Sequence, residues 1–174
     1  MTYFMTDIEA DGPCPGLYSM VSFGVVLVRG KLEQTFYSDI IKPLEGAEWV
    51  PEALAVSGVT REQHLAGQDP KFVMHKFASW LRKVNEGRPM FISDNNGFDW
   101  QFINYYFWLT MKENPFGFSS TNLGSLYKGL EKSAFANFKR LRKTKHTHHP
   151  VDDSKGNAEA LLYMKNNMDL KIKL

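Results

Sequence analysis

Two carboxylates stand one residue apart in Thr6-Asp7-Ile8-Glu9, inside the apolar run Tyr3–Ala10. That run reads as a first β-strand. Side chains along a strand alternate faces, so Asp7 and Glu9 point one way and Ile8 the other. Two acids side by side at the end of a buried strand repel each other and lose hydration, which is unfavourable unless something compensates. A divalent cation is the usual compensation, because hard cations take oxygen ligands. Taken alone, the triplet is more commonly a solvated strand end.

Two further acids and a histidine stand downstream in telling places. Asp99 follows the polar turn Asp94-Asn95-Asn96-Gly97 and opens an aromatic stretch, and Asp153 opens a second helical stretch. Either could simply complement a helix N-terminus. His148 lies within His146-Thr147-His148-His149, where a zinc site is an alternative. Zinc favours thiolates or well-spaced imidazoles. The only thiol, Cys14, is far away in sequence, so zinc is not expected.

The elements that must position these residues can be read from pattern. Tyr3–Ala10, Ser19–Val28 and Lys31–Lys42 are three strands joined by breaker-rich turns, which predicts an antiparallel meander. Leu44–Gly58 is irregular. Thr60-Arg61-Glu62-Gln63 has the form of a capping box before a short helix. Asp69-Pro70 starts a longer helix, along which Phe72, Val73, Phe77, Trp80, Leu81 and Val84 recur at helical spacing until Gly87 ends it. Pro89–Ser93 is a short strand after a helix, consistent with a crossover. Phe98-Asp99 opens an aromatic helix to about Lys112, whose stripe is core. Leu123–Leu130 and Gly156–Met168 complete the helices.

With 174 residues, 43% of them hydrophobic, the chain suits one domain with a substantial core. A single cysteine excludes an internal disulfide and fits a reducing, cytoplasmic setting. Residues 1–20 lack a basic segment leading into an apolar core, so no signal peptide is expected, and no apolar run approaches a membrane span. The net charge of +2 hides an uneven distribution. Lys128, Lys132, Lys139, Arg140, Arg142, Lys143 and Lys145 face the single acid Glu131, leaving the rest net acidic. A charge run is usually a solvated face. Here it leads into the histidine cluster and is interleaved with Tyr127, Phe135 and Phe138, which points to an anionic substrate.

On these residues the chain resembles the DEDDh 3′–5′ exonucleases, which have a ribonuclease H-like fold. Asp7-Ile8-Glu9 matches their first motif, Asn95-Asn96-Gly97-Phe98-Asp99 the second, and His148 with Asp153 the third. The likeness covers nearly the whole chain and is greatest to the compact branch that holds a mycobacterial-type exoribonuclease and a phage exonuclease A. There are departures: Asp94 stands where a His often precedes the Asn, and Ser154 where Ala often follows the last Asp. The first leaves that turn more acidic than usual.

The resemblance implies an α/β fold over residues 1–174 as one domain, a central mixed sheet with antiparallel first three strands flanked by helices. It implies hydrolysis of single-stranded RNA or DNA from the 3′ end to 5′-mononucleotides, with two Mg²⁺ or Mn²⁺ ions roughly 3.5–4 Å apart. Asp7 would bridge the ions, Glu9 and Asp153 would hold the ion carrying the attacking water, and Asp99 the other. His148 would take the proton from that water as general base, since imidazole exchanges its proton near working pH. By the same analogy Leu17, Tyr18 and Phe98 pack on the terminal nucleotide, Asn95 lies beside it, and Arg140, Arg142 and Lys143 hold upstream phosphates. A homodimer is compatible with the resemblance. The competing function is an inactive nucleic-acid-binding module of the same fold, but such a module has no physical need for a self-repelling set of acids.

Overall fold

The computed structural model describes residues 1–174. Strands β1 (Thr2–Ala10), β2 (Met20–Val28) and β3 (Leu32–Tyr37) come first, followed by helices α1 (Pro51–Val56), α2 (Arg61–Leu65) and α3 (Pro70–Val84). Strand β4 (Pro89–Ser93) leads into α4 (Asn96–Met111), and β5 (Ser120–Asn122) into α5 (Leu123–Leu130). A 3₁₀ turn at Phe138–Leu141 precedes α6 (Pro150–Asn167).

The five strands lie in the order β3-β2-β1-β4-β5. β1 runs antiparallel to β2, and β2 to β3, whereas β4 is parallel to both β1 and β5. Every residue of β2 is buried, as expected for a strand covered on both faces. Alternation along β1 divides its side chains between two cores. Phe4, Ile8 and Ala10 join the larger core with residues of α3 and α4. Tyr3 and Met5 join the smaller core with residues of α5 and α6. Asp7 and Glu9 share the parity of Tyr3 and Met5, so they face the α6 side.

The larger core is built on rings. Phe77 of α3 lies 4.9 Å from Phe23, 5.0 Å from Phe36 and 5.6 Å from Phe107, measured between ring centroids. Truncating such a ring costs about 3–5 kcal/mol. This core backs the sheet that carries the acids.

Three local expectations are corrected, and one strand, β5, carried no expectation. β3 stops at Tyr37, because Asp39 adopts a left-handed φ of 58° and ends the ladder. Leu44–Gly58 contains α1, which Pro51 opens at its first turn. The polar β5 has only three residues and no apolar signal. The last helix begins at Pro150, and Gly156 lies inside it because a Cβ there would sit 2.9 Å from the Thr144 carbonyl oxygen. A tight approach between segments, with no relation to the helix end, selected that glycine.

Candidate active site

β1 presents Asp7 and Glu9 beyond the point where β4 stops pairing with it, at Met5. The exposed edge of β1 is then met by α4. Asp99, in the first turn of α4, accepts the Ile8 backbone N–H at 3.3 Å on Oδ1, and its Oδ2 is buried with no partner. Asp99 itself is 3% exposed, a position where a lone unpaired carboxylate oxygen is expensive.

Asp153 arrives from the opposite layer. The N-terminus of α6 rests on β2 at Gly24, where a Cβ would lie 2.4 Å from both Pro150 C and Val151 N. Ser154 donates its hydroxyl to the Gly24 carbonyl at 2.9 Å. Only glycine admits this approach, and Ser154, the departure noted in the sequence, secures it. With α6 so seated, ligand oxygens of Asp7, Glu9 and Asp153 come within 4.8 Å of one another.

The segment before α6 wraps the Asp153 carboxylate. Thr147 N–H donates to Oδ1 at 3.2 Å and His148 N–H to Oδ2 at 3.1 Å. His148 adopts a left-handed φ of 60°, uncommon for a residue with a Cβ. His146 places Nδ1 2.7 Å from Asp153 Oδ1. His149 instead turns toward Tyr37, with ring centroids 4.9 Å apart. Sequence spacing singled out His148 and left His146 among surface histidines. Its contact depends on the turn between them, which carries no sequence signal.

The electrostatics are those of crowded, buried acids whose repulsion is only partly offset. Burial pushes Asp7 well above the usual carboxylate range, and the charges of Asp99, Glu9 and Asp153 add to this. The Arg142 guanidinium pulls it back in part. Glu9 is pushed up to about 8, by burial first and then by Asp153 and Asp99. Asp99 is raised to about 7, chiefly by burial and against the hydrogen bonds it receives. Hard oxygen donors, mutual repulsion and the unpartnered Asp99 Oδ2 fit a divalent cation of the Mg²⁺ type.

The expected substrate contacts are placed unequally. Leu17 is half exposed, at 51%, and Tyr18 folds over Gly12 in the loop after β1. That loop is pinned from beneath by the fully buried Asp11, which accepts Ser19 N–H at 2.6 Å and faces Arg61 and His64. Phe98 packs edge-on against Phe102 at 5.2 Å, and Asn95 is exposed. Arg140 is exposed but donates to the Tyr127 hydroxyl at 2.9 Å, and Lys143 is exposed.

Arg142 departs from the expectation. Its side chain is only 7% exposed, bonded to Asp94 at 3.1 Å and to Asn157, and stacked over Phe138. It ties the 3₁₀ turn to the β4–α4 turn and to α6. It also answers the charge of Asp94, so that turn is less acidic than sequence suggested. The cations free to meet a phosphate lie elsewhere. A hollow of about 400 Å³ beside the β4–α4 turn is lined by Asn95, Asn122, Lys128, Phe135 and Lys139, with Phe135 99% exposed.

Comparison with known proteins gives the family and the fold. A family model described as Exonuclease matches residues 4–161. The chain is 34% identical over 136 residues to the 3′–5′ DNA exonuclease Cap18 of Escherichia coli, covering 76% of this chain and 71% of the relative. The nuclease domain of 3′hExo, a DEDDh family member bound to rAMP, superposes with a TM-score of 0.78 at 19% identity, covering 99% of this chain and 96% of that one. E. coli ExoI, in a zinc-bound complex with single-stranded DNA, gives a TM-score of 0.72 at 18% identity over 95% of this chain and 41% of that one. At these identities the two structures speak to the fold. No helix is long and apolar enough to cross a membrane.

Proposed function

The chain belongs to the Exonuclease family, and from that premise we propose that residues 1–174 act as one domain that removes 5′-mononucleotides from the 3′ end of single-stranded nucleic acid using Mg²⁺ or Mn²⁺. The observation that carries this reading is the meeting of Asp7, Glu9 and Asp153 within 4.8 Å, with the orphaned Asp99 oxygen from a fourth segment. Asp7, Glu9, Asp99 and Asp153 would hold two divalent ions. Once bound, these ions activate water and stabilise charge on the phosphoryl group in transit.

The chain's own residues supply the rest. His148 takes the proton from the attacking water. Its backbone N–H is fixed to Asp153, so the base and a ligand move together. The loop after β1, held by Asp11, offers Leu17 and Tyr18 to the terminal nucleotide, with Asn95 and Phe98 at the start of α4. The strand then leaves past the β4–α4 turn, where Lys128 and Lys139 meet phosphates and Phe135 offers a face for a base, joined by Arg140 and Lys143 farther along. Arg142 acts as a strut for this wall.

The E. coli relative is named for DNA, which makes single-stranded DNA the first substrate to try, with matched RNA beside it. A cytoplasmic setting suits the lone Cys14, and light scattering tests whether two copies pair. The deciding assay uses a 5′-labelled single strand. Stepwise shortening in Mg²⁺ or Mn²⁺, abolished by chelator, is expected. Cleavage of closed circular strands, or undiminished cleavage in excess chelator, sinks the reading.

A further inference from the structure

Asp153 belongs to two clusters of ligand atoms, and the reaction above uses only one. On one side it meets Asp7 and Glu9; on the other it meets His146 and His148, again with all three ligand atoms within 4.8 Å of one another. We propose that His146, His148 and Asp153 form a second metal site, for a borderline transition ion such as Zn²⁺, whose occupation switches off the exonuclease. The proposal rests on the exonuclease reading for its effect but not for the site itself.

The two clusters differ in chemistry. Asp7, Glu9 and Asp153 offer only carboxylate oxygens, the set that Mg²⁺ takes. His146, His148 and Asp153 offer two imidazoles and one carboxylate, a set that favours zinc or another late first-row ion and leaves a fourth position for water. The sequence argued against zinc for want of a nearby thiolate. The fold supplies a buried carboxylate in its place.

The geometry is assembled before any ion arrives. His146 Nδ1 already sits 2.7 Å from Asp153 Oδ1. The two imidazole rings lie 4.2 Å apart at 66°, so they converge edge to face rather than stacking flat. Thr147 and His148 N–H groups hold the carboxylate in place, and the left-handed turn at His148 returns that side chain toward it. His146 is 48% exposed, so an ion enters directly from solvent.

The two modes exclude each other. An ion among the imidazoles draws a ligand oxygen of Asp153 away from the carboxylate set. It also occupies a ring nitrogen of the base. Inhibition is therefore built into which residues are shared, and it needs no movement of the fold.

The test uses the whole chain, stripped of metal and then held in excess Mg²⁺ while Zn²⁺ is added. Bound zinc is counted against a chromophoric chelator, and hydrolysis of a single-stranded oligonucleotide is followed in parallel. The parent should bind one Zn²⁺ per chain and lose activity as it does so. His146→Ala should weaken zinc binding by at least about 10–100-fold, the effect of losing even an outer partner of a metal site, while still hydrolysing substrate in Mg²⁺ alone. Glu9→Gln should lose hydrolysis yet keep its zinc. Cobalt bound to the parent should show visible bands that His146→Ala lacks. Equal zinc binding by parent and His146→Ala overturns the site, and so does loss of zinc binding in Glu9→Gln. A parent inert in Mg²⁺ or Mn²⁺ without zinc would instead refute the exonuclease reading, and the chelator titration would still decide the site.

Discussion

Asp7 and Glu9 sit on one face of a buried strand with Asp99 and Asp153 closing on them, so the metal-free fold carries repulsion that unfolding relieves. Asp7→Asn removes one charge and nearly keeps the shape. It should leave metal-free stability unchanged or raise it by about 1 kcal/mol, abolish hydrolysis, and shrink the stabilisation that added Mg²⁺ gives the parent. Paired thermal melts with chelator and with metal check all three, and a marked fall in the metal-free mutant's Tm would make Asp7 a structural residue. The pH dependence follows from the same charges. Glu9 is raised to about 8 and Asp99 to about 7 in the fold, both above their unfolded values. A raised carboxylate contributes stability that is full below its unfolded pKa and is lost as pH climbs through the folded one. The protein in chelator should therefore melt lower at pH 8 than at pH 5, by more than the 2–4 °C that about 1 kcal/mol represents at this size. Excess Mg²⁺ at pH 8 should remove the difference. His148→Ala should slow turnover by roughly 10²–10⁴-fold with metal-induced stabilisation kept; if His149→Ala is the damaging change instead, the base is misassigned. At this scale the sequence was legible wherever a carboxylate fell at motif spacing. Arg142 was not, because whether a guanidinium meets phosphate or Asp94 depends on which segment folds over it.

The element that completes the site is α6, and its seat on β2 is a glycine. Gly24→Ala puts a methyl group 2.4 Å from backbone atoms of Pro150 and Val151, which cannot rotate away as a side chain could. Overpacking of this kind costs about 1–3 kcal/mol, and here the relief is a shift of the helix that carries Asp153. Activity should fall further than stability: turnover at saturating Mg²⁺ should drop at least about 10-fold, a barrier change near 1.4 kcal/mol, with a modest loss of Tm. A variant that melts lower yet turns over normally would show that α6 does not set the ligand's position. Strands β1, β2 and β4 and helices α3 and α4 were legible because apolar period and breakers agreed. The start of α6 was hidden by Gly156 and Asn157, which look like a boundary and are instead buried packing positions. β5 was hidden because three polar residues carry no period.

Over the whole molecule, positive charge gathers on the wall formed by α5, the 3₁₀ turn and the segment leading to α6, while the acids lie at the open edge of the sheet. Lys128 and Lys139 with Phe135 border the hollow next to the motif turn. Changing Lys128 and Lys139 together to Ala should weaken binding of a long single strand and flatten its dependence on salt by about two counter-ions. Phe135→Ala should weaken it by about 1–3 kcal/mol, the range for one stacked base. Cleavage of a dinucleotide should change little in either variant. Equal losses on short and long substrates would assign these residues to the fold instead. The sequence located this wall by composition, but it could not say which cations were free. Burial and pairing decide that, and they are properties of the folded chain.

The four carboxylates proposed as ligands enter the chain in the order 7, 9, 99 and 153, and α6 brings the last of them. Synthesis runs from the N-terminus, and a domain folds as a unit. A ribosome-bound fragment that has not yet extruded α6 holds Asp7, Glu9 and Asp99 but lacks Asp153. On the proposed reading, the nascent polypeptide therefore cannot hydrolyse nucleic acid until its last helix emerges.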